Sequence, residues 1–422
     1  MNSKTIGNIF KGDKVIWMIF FFLCMISIIE VYSASSSLTY KSENYMGPVI
    51  KHMGLLGLGI LTMICMLKVK CKYFKIVTPF VLGFSFLLLI WALVAGQSAN
   101  GASRWINLVG FNFQPSELAK GAVILAVAQI LSAMQTENGA NNRAFKFILV
   151  AVAPFVFLIG LENLSTAMLL CVTILCMMIV GRIPMKLIGI LVGTVLIAIS
   201  LMLGTIMIIG HDDQEAAKPE NTLTENVTKE EPSTAGKLFH RADTWKARID
   251  KFLDSKPVAP EDVDLNKDAQ VAHANIAIAS SNIAGKGPGN SVERDFLSQA
   301  YSDFIYSIII EEMGIEGAIA VAMLYIFLLF RVGRIANRCE NNFPAFLAMG
   351  LAILLVIQAL FNMMVAVGLA PVTGQPLPLI SRGGTSTVIN CVYLGIILSI
   401  SRTAKKKDGN QNAHHEAKIV VA

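Results

Sequence analysis

The stretch Val15–Ser33, VIWMIFFFLCMISIIEVYS, contains one charged residue, Glu30, in its whole length. An α-helix needs roughly 20 apolar residues to cross the core of a bilayer, so this run predicts a membrane-spanning helix. The lysines that precede it imitate the start of a secretory signal. The apolar run is long enough to remain as a helix, however, and cleavage is the less favoured interpretation.

The rest of the chain has a similar composition. Of its 422 residues, 54% are hydrophobic and 15% are charged, whereas soluble domains carry roughly 25% charged residues. The mean hydropathy is +0.60. We therefore predict an all-α polytopic membrane protein with about ten transmembrane helices, near residues 15–33, 51–68, 75–96, 116–133, 145–161, 164–181, 187–210, 302–330, 344–368 and 384–401. Residues 145–181 fit either one long hairpin or two short helices.

The distribution of cations predicts the orientation. The net charge of +6 does not indicate nucleic-acid binding, because the cations lie in short loops between apolar runs. Short cytoplasmic loops are enriched in Lys and Arg. With both termini in the cytoplasm, the outer short loops hold only Lys41, Lys51, Arg104 and Arg382, and the inner segments hold Lys4, Lys11, Lys14, Lys68, Lys70, Lys72, Lys75, Arg143, Lys146, Arg182, Lys186, Arg331, Arg334, Arg338, Arg402, Lys405, Lys406 and Lys407.

This orientation divides the chain into five parts. A cytoplasmic tail (1–14) precedes helices 1–7 (15–210), and a large extracytoplasmic loop (211–301) separates helices 7 and 8. Residues 211–236 are polar without an apolar period and are predicted to be disordered, whereas 237–301 regain aromatic residues and are predicted to be partly ordered at the membrane surface. Helices 8–10 (302–401), with a re-entrant outer loop at 369–384, precede a cytoplasmic tail (402–422).

The cysteines do not predict a disulfide framework. All seven fall in apolar segments or in loops placed inside, and none shows a paired metal-ligand spacing.

Polar residues concentrate at the outer ends of several predicted helices. In GASRWINLVGFNFQPSELAK (101–120), Pro115 suits the start of a helix, because its missing N–H would have no intrahelical partner there. Glu117 and Lys120 then lie one turn apart on one face. A local ion pair would explain them, but ionisable residues within a membrane helix more often serve function. We also assign Arg104, Trp105, Gln114 and Ser116 to this candidate site.

Two further stretches give weaker or mixed signals. Glu162 starts a tight outer turn, ENLST, where an interfacial role and a functional one are about equally plausible, and Ser165 and Thr166 fit helix caps. The loop GKGPGNS (285–291) has glycines whose backbone N–H groups could face an anion, although a flexible linker would look the same. We include Lys286 of this loop, and Glu162, among the candidate substrate-binding residues.

Asp303 precedes a long apolar helix at its outer mouth, where either a helix cap or a catalytic base fits. Glu311 and Glu312 lie about two turns deeper, where an uncompensated carboxylate is costly, so structural pairing with a neighbouring helix is expected for them.

The stretch GLAPVTGQPLPLISRGGTS (368–386) places three prolines and three further glycines between two apolar runs. Irregular backbone at membrane depth is tolerated only where protein or a wet cavity surrounds it. We therefore predict a re-entrant loop that presents Ser381 and Arg382, although Arg382 also fits a residue that reaches to the interface.

Together these motifs resemble the SEDS proteins (shape, elongation, division, sporulation), the family that includes FtsW and RodA. The resemblance rests, in chain order, on RW (104–105), FQPSE with Lys120 (113–120), GKG (285–287), SDFI (302–305), EEMG (311–314), PVTG (371–374) and PLISRGGTS (378–386). The residues at 110–120 resemble FtsW more closely than RodA. The sequence departs from the family at Glu162, where Pro-Asp-Leu-Gly-Thr is usual, at Tyr301–Ser302 in place of His-Thr, and at Arg382 in place of Tyr.

The resemblance implies a peptidoglycan glycosyltransferase that polymerises lipid II and releases undecaprenyl pyrophosphate, with septal synthesis as the expected role. The alternatives are an elongation-type polymerase, a lipid II flippase without bond chemistry, and a purely structural scaffold for division proteins. The resemblance also implies that Asp303 is the catalytic base, with a divalent cation (Mg or Mn) bound there and no organic cofactor. Arg104, Lys120 and Arg382 would hold the pyrophosphates. The implied partners are a class B penicillin-binding transpeptidase and other division proteins, with the site facing the periplasm from the bacterial inner membrane.

Overall fold

The fold was analysed in a computed structural model that describes residues 11–34, 47–99, 102–108, 111–137, 139–209, 269–297 and 300–420. Its helices are α1 (Lys14–Ala34), α2 (Gly47–Lys68), α3 (Cys71–Ala95), α4 (Pro115–Ala133), α5 (Asn142–Glu162), α6 (Leu164–Val180), α7 (Met185–Ile209), α8 (Ala269–Ala279), α9 (Ile305–Ala336), α10 (Asn342–Ala366) and α11 (Thr385–Val420). Short strands are β1 (Gln97–Ala99), β2 (Ala102–Leu108), β3 (Phe111–Phe113), β4 (Gln135–Thr136) and β5 (Gly139–Ala140).

The helices confirm the predicted polytopic membrane fold. Among the described residues, eight helices are long and apolar enough to cross a membrane, and α6 and the described start of α7 add two shorter apolar helices. The interval 145–181 forms two helices, because Asn163 interrupts the run between α5 and α6. The predicted disorder of 211–236 and most of the partly ordered interval lie outside the described residues.

The chain divides into two compact units. Residues 186–262 form one of them, and nearly all of α7 belongs to it. Residues 1–185 and 263–422 form the other, the main bundle, which contains every remaining helix.

Helix α10 lies at the centre of the main bundle. It packs against α4, α6, α9 and α11, while α11 also packs against α2. The apolar span of α10 is 72% buried, compared with 28% for that of α3. Polar groups on α10 can therefore lie inside the protein, away from lipid.

A three-stranded sheet marks one end of the main bundle. Strand β2 pairs antiparallel with β1 and with β3, in the order β1–β2–β3, between the end of α3 and the start of α4. We call this the sheet end, and the end that contains the α2–α3 and α9–α10 turns the far end. The sequence predicts only a loop between the spans 75–96 and 116–133, since a strand of three residues has too few positions to show an alternating pattern.

The last helix is longer than predicted. The predicted span 384–401 and the described part of the predicted tail 402–422 form one helix, α11, from Thr385 to Val420. The residues after Arg402 are mostly Ala, Lys, Gln, Asn, His and Glu, without proline, so no residue there ends the helix.

Candidate functional site

The connection between α10 and α11, residues 367–384, enters the bundle at the sheet end without regular secondary structure, and we call it the polar loop. Leu377, Ile380 and Ser381 in it are buried. Ser27 of α1 donates to the Ile380 carbonyl at 2.7 Å, and the hydroxyl of Tyr325 of α9 donates to the Pro378 carbonyl. Protein groups thus satisfy backbone that lipid could not.

Asp303 lies beside the polar loop, two residues before α9 begins. Its Oδ1 accepts a hydrogen bond from Ser302 Oγ at 2.9 Å. Its Oδ2 is 3.4 Å from the position that a Cβ on Gly374 would occupy, and Gly374 has a φ of +68°. The next residue, Phe304, is 1% exposed and packs in a cluster with Ala34, Ala274, Leu297, Ala300 and Ile308. The partly buried carboxylate is therefore fixed by an apolar anchor on one side and a close backbone approach on the other.

Two amides of α10 hold the polar loop, and one of them also holds the backbone of Asp303. Asn362 Nδ2 donates to the Asp303 carbonyl at 2.8 Å and to the Gln375 carbonyl at 2.7 Å. One turn earlier, Gln358 Nε2 donates to the Pro376 carbonyl at 3.4 Å. Neither Gln358 nor Asn362 is among the candidate residues predicted from the sequence. The signal that would have found them is two amides four positions apart in an otherwise apolar span.

Lys120 reaches the same network from α4. Its Nζ lies 2.8 Å from Glu117 Oε1 and 3.1 Å from Gln358 Oε1. The side chains of Lys120 and Glu117 are 0% and 2% exposed. The local pairing predicted for these residues is present, but Lys120 has no exposed surface with which to hold a pyrophosphate. Its contact with Gln358 gives it a positioning role in this structure.

Ser381 and Arg382 hold the polar loop against the residues before Asp303. Ser381 Oγ donates to the Ser302 carbonyl at 2.6 Å and accepts from the Leu377 N–H at 2.8 Å, so its hydroxyl is occupied within the chain. This geometry favours positioning over the substrate contact predicted for Ser381. The Arg382 N–H donates to the Tyr301 carbonyl at 3.0 Å, and its guanidinium lies 5.4 Å from the centre of the Tyr301 ring.

The sheet covers the start of α4. Trp105 lies on β2 opposite Gln97 and is partly buried. Arg104 is its neighbour on β2, and its side chain falls outside the described part of the structure. Gln114 is the N-cap residue of α4, and Pro115 occupies the first turn as predicted. The neighbouring Ser116 is buried. A hydrogen bond of 3.2 Å from Thr385 Oγ1 to the Asn112 carbonyl connects this region to the start of α11, three residues after Arg382.

The turn at Glu162 joins the site through Thr166. Glu162 ends α5 and is 6% exposed. The N-cap of α6 is Asn163, whose Oδ1 accepts from the Thr166 N–H at 3.2 Å, so the predicted caps Ser165 and Thr166 are wrong. The Thr166 hydroxyl instead accepts from Gln375 Nε2 at 2.7 Å. The turn therefore contacts the polar loop.

Lys286 serves a separate, intramolecular site. Its Nζ donates to Glu311 Oε1 at 2.6 Å and to Ser280 Oγ at 2.8 Å. The N–H groups of Gly289 and Ser291 donate to Glu312 at 2.8 and 3.3 Å. The glycine loop does face anions, as the sequence suggested, but they are the protein's own carboxylates. Glu311 and Glu312 are thus paired with this loop, and Glu312 also accepts a hydrogen bond from Ser33 of α1, the neighbouring-helix contact that the sequence predicts.

A break in α9 explains why that loop binds there. Gly314, with φ 68° and ψ −170°, interrupts the helix and frees carbonyl groups one turn before it. The N–H groups of Lys286 and Gly287 donate to the carbonyls of Glu311 and Glu312 at 2.9 and 2.8 Å. The loop replaces the missing helical hydrogen bonds.

The metal expectation can be compared with the side chains present. Among the described residues, no group of three or more His, Cys, Asp or Glu side chains is placed to hold a metal ion. Mg²⁺ often binds one or two carboxylates together with substrate phosphates. As a single carboxylate, Asp303 fits this mode of Mg²⁺ binding. The described residues do not fit a site whose ligands all come from the protein.

The arrangement suits proton transfer beside an anionic leaving group. Asp303 offers a carboxylate held by Ser302, and the guanidinium of Arg382 lies over the ring of Tyr301, two residues before Asp303. Charge-assisted hydrogen bonds from a guanidinium stabilise phosphate oxygens well.

Comparisons with known proteins agree on one family. Residues 13–406 match the FtsW/RodA/SpoVE family model, described as "cell cycle protein". A Geobacter metallireducens protein named probable peptidoglycan glycosyltransferase FtsW is 30% identical, over 96% of this chain and 99% of the relative. The peptidoglycan glycosyltransferase MrdB of Escherichia coli is 26% identical, over 94% and 96%.

Solved structures have the same fold. One is described as "structural coordination of polymerization and crosslinking by a peptidoglycan synthase complex" and aligns with a TM-score of 0.65 at 25% identity, over 93% of this chain and 98% of the other. The crystal structure of the Thermus thermophilus rod shape determining protein RodA aligns with a TM-score of 0.61 at 22% identity, over 94% and 98%. The latter likeness concerns the fold alone.

Proposed function

The chain belongs to the FtsW/RodA/SpoVE family of cell cycle proteins, and we propose that it is a peptidoglycan glycosyltransferase polymerising lipid II into glycan strands. It is a multi-pass membrane protein. The relatives named peptidoglycan glycosyltransferase FtsW and MrdB match it along nearly their whole length. The reaction releases undecaprenyl pyrophosphate.

The position of Asp303 is the observation that carries the mechanism. A sugar 4-hydroxyl attacks the anomeric carbon of a second unit, and its proton passes to the Asp303 carboxylate. The bond between that carbon and the lipid pyrophosphate breaks, and the leaving oxygen takes the electron pair. One base and one stabilised leaving group suffice for inversion, and no covalent enzyme intermediate forms.

The charged groups divide between contact and positioning. Arg382, with Arg104 from β2, stabilises the departing pyrophosphate. Lys120 and Glu117 act through Gln358 on the polar loop, because neither side chain is exposed. Ser381 and Asn362 hold the carbonyls of Ser302 and Asp303 against that loop.

A divalent cation, Mg or Mn, would be held by Asp303 together with pyrophosphate oxygens. Such an ion would neutralise charge on the leaving group. No organic cofactor is needed for this chemistry.

The membrane is the bacterial inner membrane, with both termini cytoplasmic and the sheet end facing the periplasm. The distribution of Lys and Arg along the chain supports this orientation, because the cations cluster in segments that connect helices at the far end. Lipid II would then meet Asp303 on the outer side.

We assign the protein to septal synthesis during cell division. The relative named FtsW is 30% identical and MrdB is 26% identical, and the residues at 110–120 resemble those of FtsW. The partner would be a class B penicillin-binding transpeptidase with other division proteins, since one structural neighbour is a synthase complex that joins polymerisation to crosslinking. Failure to support division in a strain depleted of its septal polymerase, with rescue of elongation instead, would move the assignment to the elongation type.

Purified full-length protein with labelled lipid II tests the activity. Wild type should produce glycan strands, and Asp303→Asn should lose about 100-fold or more, the ordinary contribution of a positioned base. Asp295→Asn, whose side chain is 43% exposed, is the matched control and should retain wild-type rates. A wild type that moves lipid II across vesicles without forming strands would favour the flippase alternative. Full activity in Asp303→Asn would remove Asp303 from the base role.

A further inference from the structure

The far end of the main bundle contains a cleft of about 780 Å³ that the proposed reaction does not use. The start of α3, the start of α10 and the part of α11 around Arg402 line it, and Ser132 of α4 contributes as well. The hydroxyl of Ser399 donates to the Val69 carbonyl, which holds α11 against the α2–α3 turn beside the cleft. We call this the basic cleft.

The lining of the basic cleft has an excess of positive charge. Lys70, Lys72, Lys75 and Arg402 face Glu340 as the only carboxylate among the lining residues. None of these four cations forms an ion pair with another described residue, in contrast to Lys120 and Lys286. Like charges gathered around one concave surface repel each other unless an anion lies between them.

Two helix N-termini open into the same cleft. Helix α3 begins at Cys71 and α10 at Asn342, and both ends line the cleft. Neither end has a side-chain cap hydrogen bond or an acidic residue in its first turn. In the first turns, the Tyr73 N–H donates to the Lys70 carbonyl at 3.0 Å and Pro344 has no N–H. The remaining N–H groups and the positive end of each helix dipole favour an anion, and helix N-termini often bind phosphate.

We propose that the basic cleft binds a phosphate-bearing anion. The shared chemistry is a phosphate group held by Lys72, Lys75 and Arg402 and by the remaining N–H groups of the two helix ends. Basic pockets between transmembrane helices on the cytoplasmic side bind the head groups of anionic lipids. A soluble phosphate compound offers the same group without acyl chains.

The surface next to the cleft favours a lipid as the source. Ile76, Val77 and Phe80 of α3 are 61%, 44% and 74% exposed, and they continue along the helix from Lys72 and Lys75. Acyl chains can lie along this apolar surface while the phosphate occupies the cleft. The site lies at the opposite end of the helices from Asp303, so the inference holds whether or not the proposed reaction is correct.

Binding is measured on purified full-length protein in neutral detergent. Short-chain phosphatidylglycerol, short-chain phosphatidylcholine and inorganic phosphate are titrated separately, and the melting temperature and the bound fraction are recorded. Phosphatidylglycerol should bind at least about tenfold more tightly than phosphatidylcholine, because only the former carries a net charge at the head group. The triple variant Lys72→Gln, Lys75→Gln, Arg402→Gln should lose this preference.

A second triple variant, Lys68→Gln, Lys146→Gln, Arg334→Gln, removes the same charge from exposed far-end positions outside the cleft. It should retain the preference. Saturable stabilisation by inorganic phosphate, lost in the first variant only, would support the proposal with a soluble source. Equal binding of the two lipids with no effect of phosphate, or equal loss in both variants, would overturn it.

Discussion

Gln358 and Asn362 lie one turn apart on α10, and their amides donate to the carbonyls of two adjacent loop residues, Pro376 and Gln375. The same two side chains extend the network in opposite directions, to Lys120 on α4 and to the Asp303 carbonyl before α9. Buried amides without partners are costly, so each of these contacts constrains the others. The central helix thereby sets the position of the catalytic candidate.

Asn362→Leu should abolish most polymerisation while the protein still inserts. The substitution preserves the side-chain volume approximately but leaves the carbonyls of Asp303 and Gln375 without their donor. Loss of a hydrogen bond to a buried group costs about 1–3 kcal/mol and releases the residue that must be held. Strand formation from lipid II and the melting temperature are both measured.

Gln129→Leu is the matched control for this variant, because Gln129 lies on α4 nearer the far end and is partly buried. It should keep its activity. Similar losses of activity in both variants would show that Asn362 has no special position.

Removing one member of the Glu117–Lys120 pair should destabilise the protein more than removing both. Lys120→Met leaves a buried carboxylate without its cation, which costs about 3–5 kcal/mol when uncompensated. The double variant Glu117→Gln, Lys120→Met restores neutrality and should melt at a higher temperature than the single variant. Additive effects in a thermal double-mutant cycle would contradict the coupling seen at 2.8 Å.

Gly285→Ala should prevent the glycine loop from docking on α9. A Cβ at Gly285 would lie 2.3 Å from the Glu312 carbonyl oxygen and 2.4 Å from the Gly314 nitrogen. Both atoms belong to backbone, which cannot move aside cheaply. The yield of folded protein and its melting temperature should both fall.

Gly289→Ala separates this clash from backbone strain. Gly289 also has a positive φ, +83°, but a Cβ there would meet nothing within 4 Å. A left-handed conformation costs a non-glycine residue about 1–2 kcal/mol, so Gly289→Ala should be the milder variant. Equal melting temperatures for the two variants would show that the close approach at Gly285 is unimportant.

The ion pair of Asp13 with Arg331 should give a pH-dependent contribution to stability at the far end. Arg331 donates to both oxygens of Asp13, at 2.7 to 3.0 Å. Burial raises the pKa of the Asp13 carboxyl, but the hydrogen bonds and charge of Arg331, together with the backbone N–H groups of Val15 and Ile16, outweigh it and lower that pKa below its ordinary value of 3.8. A lowered folded pKa stabilises the fold above the unfolded pKa and loses that stabilisation as the pH falls through the folded value.

Asp13→Asn should therefore lower the melting temperature at pH 7, and the difference from wild type should shrink only below about pH 3.8. Arg331→Gln should behave alike, and the double variant should add little to either single one. A difference that stays constant down to pH 3 would show that the carboxylate charge does not contribute.

The positions of most helices could be predicted from the sequence because each apolar run must match the thickness of a bilayer. The ends of α1, α4, α6 and α10 differ from the predicted spans by at most two residues. The sheet end was harder to predict, since β1 and β3 have three residues each and depend on pairing with β2. The continuation of α11 was missed because a change to polar composition ends a membrane span without ending a helix.

Among the candidate site residues, the sequence identified types and approximate depth but not partners. Glu117 and Lys120 were paired correctly, because a spacing of three on one helix fixes their neighbourhood. Lys286 was assigned to substrate, and it lies on Glu311, 25 residues away. Such a pairing depends on how the loop folds back on the break at Gly314, which no local pattern reveals.

The membrane-spanning class, the order of the helices and the residue motifs of the family follow from the sequence, because these depend on local composition and spacing. Which polar groups remain available for chemistry depends on tertiary packing. Ser381, Lys120 and Asn362 are all polar residues at one end of the bundle, yet the Ser381 hydroxyl, the Lys120 ammonium and the Asn362 amide nitrogen all donate to groups within the chain. Packing brings together residues that are more than 200 positions apart, such as Lys120 and Gln358, and only that packing separates residues that position the loop from those that face a substrate.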